Sequence, residues 1–308
     1  MNRRHATALL PLALLLGACS PPPAASTTVA TPTAGNGPAQ CQHHQARQVA
    51  LQLEGVRAIS LEVGPDTLVL NGQPAADGQL SGRACASSAD QLDGLQVTQK
   101  REGDTLHVRL ENTARRGISL GNHYAWLDLA GSIPSGVPVT LALGSGDVTL
   151  DNLAALDASV GSGDLQARRI AGAVNLTLGS GDADIDQAAS LDATVGSGDI
   201  KAGTITGSVA LTVGSGDVKL GSSGELALQA LGSGDVDVGQ VNSNVRIGSV
   251  GSGDITLERV SGSVDAQTIA SGSLQVNQAG GDLRVGTLGS GDVQHRNIGG
   301  AVQLPRNH

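Results

Sequence analysis

Eight aspartates recur at a nearly constant spacing in the second half of the chain, each ending the tetrapeptide Gly-Ser-Gly-Asp. They are Asp147, Asp164, Asp182, Asp199, Asp217, Asp235, Asp254 and Asp292, and Ser273 occupies the one missing position. Subtracting neighbouring positions gives steps of 17, 18, 17, 18, 18, 19, 19 and 19 residues. Carboxylates aligned by such a repeat could bind a row of cations, and Ca²⁺ is a cation that prefers oxygen ligands.

Two interpretations of this aspartate ladder remain open at the level of sequence. In the first, each carboxylate caps its own turn by accepting backbone N–H bonds, and the flanking glycines supply positive φ angles. In the second, the ladder binds Ca²⁺ as the Gly- and Asp-rich turns of nonapeptide β-rolls do. Only one of the two turns expected per repeat carries an aspartate, which leaves half of the roughly six to eight oxygens that Ca²⁺ takes. We therefore expect a structural turn with a potential cation edge, and no metal or cofactor.

A repeat near 20 residues predicts a stacked architecture in which each repeat forms one coil. Counted from the motif aspartate, apolar residues fall at +1, +3 and +6 and again at about +10, +12 and +14. One repeat shows the pattern as Leu165, Ala167, Ile170, Val174, Leu176 and Leu178. Alternation with a period of two indicates strands with one buried face. The sequence thus predicts an all-β, single-stranded β-solenoid (β-helix-like) with about nine regular coils of 17–19 residues over residues 137–308.

Residues 41–136 show short alternating runs without a fixed period, each closed by Gly, Asn or Asp. This pattern predicts a β-rich N-terminal cap and the first coils, because a solenoid must cover its open end. The segment contains Tyr124 and Trp126, the only aromatic residues of the chain. It also contains Cys41 and Cys85, for which a disulfide is favoured over two buried free thiols.

The first 40 residues are typical of a secretion signal peptide followed by a tether. Residues 1–18 contain Arg3, Arg4 and a short apolar run, as in a secretion signal peptide. Residues 19–40 are rich in Pro, Ala and Thr and carry no charge, so they cannot bury enough apolar surface to fold. We expect this stretch to act as an extended tether.

The residues Leu16-Gly17-Ala18-Cys19 resemble the lipobox of bacterial lipoproteins. The resemblance implies cleavage before Cys19, lipidation of that residue and attachment to a membrane through its acyl chains. Ser20 follows the cysteine, and in such lipoproteins a residue other than Asp there favours export to the outer membrane. We therefore expect an outer-membrane lipoprotein that faces the periplasm or the cell surface.

Composition argues against two classes of function. The formal net charge is −9 and phenylalanine is absent, whereas a nucleic-acid-binding protein needs a basic surface and usually aromatic stacking platforms. Some β-helices are polysaccharide lyases, but these need clustered carboxylates together with a basic residue as general base. The carboxylates here are spread evenly along one turn and no histidine joins them. We expect no catalytic residues and no enzyme activity.

Residues 133–141, with the sequence IPSGVPVTL, precede the first Gly-Ser-Gly-Asp-Val at 144–148. This arrangement resembles the bacterial "putative adhesin" family of β-strand-repeat envelope proteins, close to the head GIN and auto-transporter-adhesin-like domains. The resemblance covers roughly residues 55–308 and implies a β-helix-like solenoid at the cell envelope. Its motif is structural, so no site residue is carried over.

These observations predict a non-catalytic envelope lipoprotein with a rigid solenoid and an adhesive or scaffolding role. Its expected partners are the membrane, through the lipid, and a protein or surface glycan. The alternatives are a Ca²⁺-dependent binding module that uses the aspartate ladder and, less favoured, a polysaccharide-active β-helix enzyme.

Overall fold

The computed structural model describes residues 41–113 and 123–305 of the 308-residue chain. The predicted signal peptide 1–18, the lipidation site Cys19 and the tether 19–40 lie outside the described residues. Within the described residues, no helix is long and apolar enough to cross a membrane.

Alternating apolar and polar residues form short strands throughout the described chain. One short 3₁₀ helix, Ala89–Gly94, lies between the fourth and the fifth strand. The strands are, in chain order, β1 (His43–Ala50), β2 (Ala58–Val63), β3 (Thr67–Gln73), β4 (Gln79–Ala86), β5 (Leu95–Glu102), β6 (Thr105–Asn112), β7 (Ala125–Pro134), β8 (Val139–Leu143), β9 (Asp147–Leu153), β10 (Leu156–Val160), β11 (Asp164–Ile170), β12 (Ala173–Leu178), β13 (Asp182–Ala188), β14 (Ser190–Val195), β15 (Asp199–Ile205), β16 (Ser208–Val213), β17 (Val218–Ser223), β18 (Glu225–Leu231), β19 (Val236–Val241), β20 (Val245–Val250), β21 (Asp254–Val260), β22 (Val264–Ile269), β23 (Ser273–Val276), β24 (Leu283–Leu288), β25 (Asp292–His295) and β26 (Val302–Gln303).

Two 13-stranded sheets share the strands, which from β8 onward alternate between them. The first sheet has the order β1-β4-β7-β3-β9-β11-β13-β15-β17-β19-β21-β23-β25, and the second has the order β26-β24-β22-β20-β18-β16-β14-β12-β10-β8-β2-β6-β5. From β8 to β24 each strand pairs in parallel with the strands of the coils before and after it, and β25 and β26 pair in parallel with the coil before them. The predicted all-β solenoid of about nine coils is confirmed.

The core between the sheets is a set of columns of small and medium aliphatic side chains. In one column Val148, Leu165, Ala183, Ile200 and Val218 follow one another in register, and all are buried. Outward-facing residues alternate with them, as along β11 and β12. Because a thin column needs only small side chains, the near absence of aromatic residues is compatible with a well-filled core.

The N-terminal end departs from the parallel pattern. Strands β2 and β3 pair in parallel with β8 and β9 and so continue the solenoid. Beyond them, β4 pairs antiparallel with β7 and with β1, and β5 pairs antiparallel with β6. This change of direction gives the solenoid an N-terminal end built of antiparallel strands.

The predicted disulfide between Cys41 and Cys85 is confirmed, with an S–S distance of 2.00 Å. Cys85 is fully buried in β4 and lies opposite Trp126 of β7. The Arg83 guanidinium stands 5.6 Å from the centre of the Trp126 ring and forms an ion pair of 3.2 Å with Asp128. The disulfide therefore joins the start of the edge strand β1 to the buried centre of this end.

Candidate functional site

The structure places the aspartate ladder along one corner of the solenoid, where the Gly-Ser-Gly turn enters a strand of the first sheet. Asp147, Asp164, Asp182, Asp199 and Asp254 are each the first residue of their strand. Asp147 is paired in register with Asp164, and Asp182 with Asp199. The side chains are exposed except that of Asp147, which is partly covered. The repeat thus brings the ladder together as one row.

Each ladder carboxylate that forms a bond to backbone is bonded to the coil that follows, which corrects the expectation that it caps its own turn. The Oδ1 atom accepts the backbone N–H of the residue at the same position one coil later. The donor–acceptor distances are 3.4 Å for Asp182 to Asp164, 3.0 Å for Asp217 to Asp199, 2.9 Å for Asp235 to Asp217, 3.3 Å for Asp254 to Asp235 and 3.0 Å for Ser273 to Asp254. The ladder therefore links successive coils.

The flanking glycines also have a different role from the one expected. Among the glycines of the described chain, positive φ angles occur at Gly55, Gly78, Gly82 and Gly103, and at none of the motif glycines. At the third motif position, a Cβ would instead collide with the backbone of the previous coil. A Cβ on Gly181 would lie 1.9 Å from the Gly163 carbonyl oxygen, and one on Gly216 would lie 1.7 Å from that of Gly198. The third glycine is required because the coils approach too closely for any side chain.

A second ladder, which the sequence interpretation missed, runs along the opposite turn of the later coils. The Asn244 Oδ1 accepts the Ser263 N–H at 2.9 Å, the Ser263 Oγ accepts the Asp282 N–H at 3.0 Å, and the Asp282 Oδ1 accepts the Ala301 N–H at 2.8 Å. The signal was available as short polar residues spaced by 19 positions, but the residue type changes from coil to coil. Both turns thus use a side-chain oxygen to join neighbouring coils.

The first carboxylate of the ladder, that of Asp147, is affected both by burial and by its neighbour in the row. Partial burial raises the pKa of Asp147, and the nearby Asp164 carboxylate raises it further. One oxygen of several ladder carboxylates is already occupied by an N–H bond, which reduces the oxygens free for a cation. Within residues 41–113 and 123–305, no three His, Cys, Asp or Glu side chains are arranged to hold a metal ion.

Replacing Asp217 tests whether hydrogen bonding or charge is the main role of the ladder. Asp217 donates its backbone N–H to Asp199 and accepts the N–H of Asp235. We expect Asp217→Ala to lower the free energy of unfolding by about 1 kcal/mol, because an N–H loses its acceptor. Asp217→Asn should change it by less than about 0.5 kcal/mol, since the amide oxygen still accepts and a repulsion between carboxylates is removed. Urea unfolding measures both, and equal losses would contradict the hydrogen-bonding role.

Asp66 occupies the position of the third glycine in the first coil, so its side chain is buried. Residues 64–66 stack on the turn 144–146, with the Asp147 N–H bonded to the Asp66 carbonyl at 3.0 Å. The Asp66 side chain, in a residue that is 1% exposed, accepts the Leu127 N–H through Oδ1 at 2.7 Å, and its Oδ2 has no partner among the described residues. Burial raises the pKa of Asp66, and the nearby backbone N–H groups of Leu127 and Gly64 oppose the rise.

Because the pKa of Asp66 is raised, we expect the stability of the junction between the cap and the coils to depend on pH. A carboxyl whose pKa is higher in the folded protein than its ordinary value of 3.8 favours folding when protonated and opposes it when ionised. We therefore expect the free energy of unfolding of the wild type, relative to Asp66→Asn, to rise as the pH falls from about 7 towards about 4. The asparagine of this variant would keep an oxygen for the Leu127 N–H but cannot ionise. Urea unfolding over this pH range measures the difference, and parallel curves would contradict the assignment.

An open depression of about 280 Å³ lies on the outer face of the second sheet, at its N-terminal end. It brings together Glu62, Lys100, Glu102, His107 and Arg109, a set that sequence reasoning did not single out. Arg109 donates to the Glu62 carboxylate at 2.8 Å through Nε, and Lys100 pairs with Glu102 at 2.7 Å. The charges are therefore largely paired with one another, and His107 lies 3.9 Å from Glu102.

The outer faces of the regular coils carry both signs of charge. Lys201 lies 3.8 Å from Asp184 on the neighbouring strand, as expected for cross-strand pairs. Arg246 stands in register with Asp265 but pairs with Glu225, and Arg284 pairs with Asp282 at 3.1 Å. The mixed charges describe a solvated sheet surface.

Comparison with known proteins supports a resemblance for part of the chain. Residues 138–231, from the approach to β8 to the end of β18, match the family model described as "Toastrack DUF4097". No curated protein matches the chain. The lipoprotein signal and the head GIN assignment stay predictions.

Several solved structures of low sequence identity resemble the chain. A "putative lipid binding protein" from Parabacteroides distasonis is 17% identical, with a TM-score of 0.42, and the match covers 86% of this chain and 98% of that one. A "putative adhesin" from the same organism is 10% identical, with a TM-score of 0.39 and coverage of 85% and 97%. A "putative adhesin" from Bacteroides fragilis is 16% identical, with a TM-score of 0.34 and coverage of 85% and 97%.

Proposed function

We propose that this protein is a non-catalytic envelope lipoprotein whose β-solenoid serves as a rigid adhesive or scaffolding module. The observation that carries the proposal is the unbroken parallel register of the first sheet from β9 to β25. Eight inter-strand spacings of about 4.8 Å hold these strands over roughly 38 Å. A column in which every coil is bonded to the next resists bending, as a spacer or a display platform requires.

The proposed attachment is a lipid on Cys19, followed by the extended tether of residues 19–40. Each buried CH₂ contributes about 0.8 kcal/mol to membrane binding, so several acyl chains on one residue would anchor the protein durably. The proposed cellular location is the outer membrane, with the solenoid on its periplasmic or its outer side. A protein or a surface glycan is the proposed partner.

Substitution of Cys19 tests the attachment. We expect Cys19→Ala to abolish labelling by palmitate and to move the protein from the membrane fraction to the soluble fraction. Cys41→Ser is the matched control, since it removes a cysteine from the chain and leaves the proposed lipidation site intact. Membrane retention of Cys19→Ala without label would overturn the proposal of a lipid anchor.

Protease treatment of whole cells tests the adhesive role separately. Cleavage in intact cells would support a surface-facing adhesive module. Protection in intact cells, with cleavage after the outer membrane is opened, would exclude adhesion to other cells and favour a periplasmic scaffold.

The proposal includes no metal requirement and no catalytic step. We expect the same thermal midpoint in EDTA and in millimolar CaCl₂, because the ladder oxygens serve backbone N–H groups. A large increase with Ca²⁺ would favour the Ca²⁺-dependent binding module. Release of reducing sugar from a polysaccharide would favour a β-helix enzyme, and Glu102 and His107 in the outer depression would be the first residues to test.

A further inference from the structure

The last coil leaves one edge of each sheet unpaired within the described residues. Strand β25 ends the first sheet and β26 ends the second. The residues that continue the core columns into this coil are only partly covered, and Val302 and Leu304 are 40% and 38% exposed. The outermost strands of the other end pair antiparallel, whereas at this end the described residues leave strand edges without a partner strand beside partly exposed apolar side chains.

The backbone of β25 offers a defined set of free hydrogen-bonding groups. The Asp292 N–H donates to the Gly272 carbonyl at 3.2 Å, and the Arg296 N–H donates to the Val276 carbonyl at 2.9 Å. Alternate residues of a strand direct their N–H and C=O groups to opposite sides, so Val293 and His295 direct theirs to the free edge. An added strand must therefore bond to Val293 and His295.

The charges of β25 and the residue after it are complementary under a two-fold rotation. Asp292 and Arg296 have opposite signs and are exposed, and neither has an ionic partner among the described residues. Between them lie Val293, Gln294 and His295. If two copies of this strand pair antiparallel about Gln294, each Asp292 lies opposite the Arg296 of the second copy.

The same register satisfies the backbone. With Gln294 opposite its own copy, Val293 lies opposite His295, and these are the residues with free N–H and C=O groups. In an antiparallel ladder such opposed residues exchange both hydrogen bonds. A register centred on Val293 also satisfies the free groups, but it places Asp292 opposite Gln294. A register centred on His295 satisfies them too, but it places Asp292 opposite a residue that follows Arg296 in the chain. Only the register centred on Gln294 satisfies hydrogen bonds and charges together.

We propose that the C-terminal edge is a self-association surface on which a second copy of this chain docks end to end, with β25 paired antiparallel to β25 of the second copy about Gln294. The contact extends the first sheet across the interface and covers the partly exposed apolar side chains of the last coil. The inference does not depend on the proposed lipid anchor or on the adhesive role.

Cysteine crosslinking tests the register. Opposed residues at a non-hydrogen-bonded position have Cα atoms about 4.5 Å apart, a separation that a disulfide can bridge. We expect the full chain with Gln294→Cys, purified in detergent and oxidised, to form a covalent dimer that reducing agent dissolves. Gln275→Cys is the matched control, because Gln275 is in register with Gln294 on the same outer face, one coil inward. The wild type corrects for dimers formed through native cysteines, and equal yields from all three proteins would overturn the proposal.

Charge reversal tests the partner without a crosslink. We expect Asp292→Arg and Arg296→Asp each to weaken dimerisation at least about tenfold in Kd by sedimentation velocity, because each places like charges opposite one another twice. The double variant Asp292→Arg/Arg296→Asp should restore the wild-type Kd. Unchanged far-ultraviolet circular dichroism shows that the variants fold. A monomeric wild type at all accessible concentrations, or a dimer insensitive to both single reversals, would overturn the proposal.

Discussion

Gly216→Ala is expected to lower the free energy of unfolding by about 3 kcal/mol or more, the upper part of the range for overpacked sites. A Cβ at this position would lie 1.7 Å from the Gly198 carbonyl oxygen and 2.8 Å from its carbonyl carbon. Both atoms belong to backbone, so no side chain can rotate away to make room. Relief requires the coils to separate, which lengthens the hydrogen bonds between them.

Gly136→Ala provides the matched control in urea unfolding. Nothing lies within 4 Å of a Cβ built on Gly136, and its φ is not in the left-handed region. Alanine there should raise the free energy of unfolding by about 0.4–1 kcal/mol, since it restricts the unfolded chain. Changes of equal sign and size at the two positions would contradict a stacking role for the third motif glycine.

Removal of the Cys41–Cys85 disulfide is expected to cost up to about 4 kcal/mol, because the bridge closes a loop whose ends are 44 residues apart. The loss should be concentrated in β1. This strand is the last of the first sheet and pairs only with β4, whereas β4 is also held by β7. We expect the amides of β1 to lose most of their protection from hydrogen exchange when the bridge is absent.

Cys85→Ala is the suitable variant, since Cys85 is fully buried and serine would leave a hydroxyl without water. Hydrogen exchange and urea unfolding of the wild type with and without reductant give the cost of the bridge, and Cys85→Ala should not respond to reductant. A wild type whose β1 amides are equally protected before and after reduction would show that pairing with β4 suffices.

The sequence predicted what depends on periodicity. A period of two within strands and of 17–19 residues between motifs determined the coils, the inward columns and the row of aspartates. The disulfide was predicted because Cys41 and Cys85 remain as an even pair once Cys19 is assigned to the lipobox, and Trp126 does lie at the N-terminal end. These features follow from local patterns that the chain displays.

Contacts between coils could not be obtained in the same way. The Asp217 carboxylate reaches the next coil rather than its own turn because the coils are stacked closely, and this distance is not encoded in the spacing of one repeat. The glycine requirement was assigned to the φ angle, although the cause is close approach to the coil before. The burial of Asp66 could not be predicted from the residues around it, because it depends on the strand β7 that follows much later in the chain.

The insertion of one residue in the later coils has a consequence for how such a chain can evolve. The register between β16 and β18 shifts after Leu211, so that Gln229 has no partner and the side-chain columns resume beyond it. The following coils pair without a further shift at this point. Duplication or deletion of one whole coil would thus keep the strand register on either side and change the length in steps of about 4.8 Å. Natural variation in this protein should therefore alter the number of coils freely, while single insertions persist only where a bulge like that at Gln229 can absorb them.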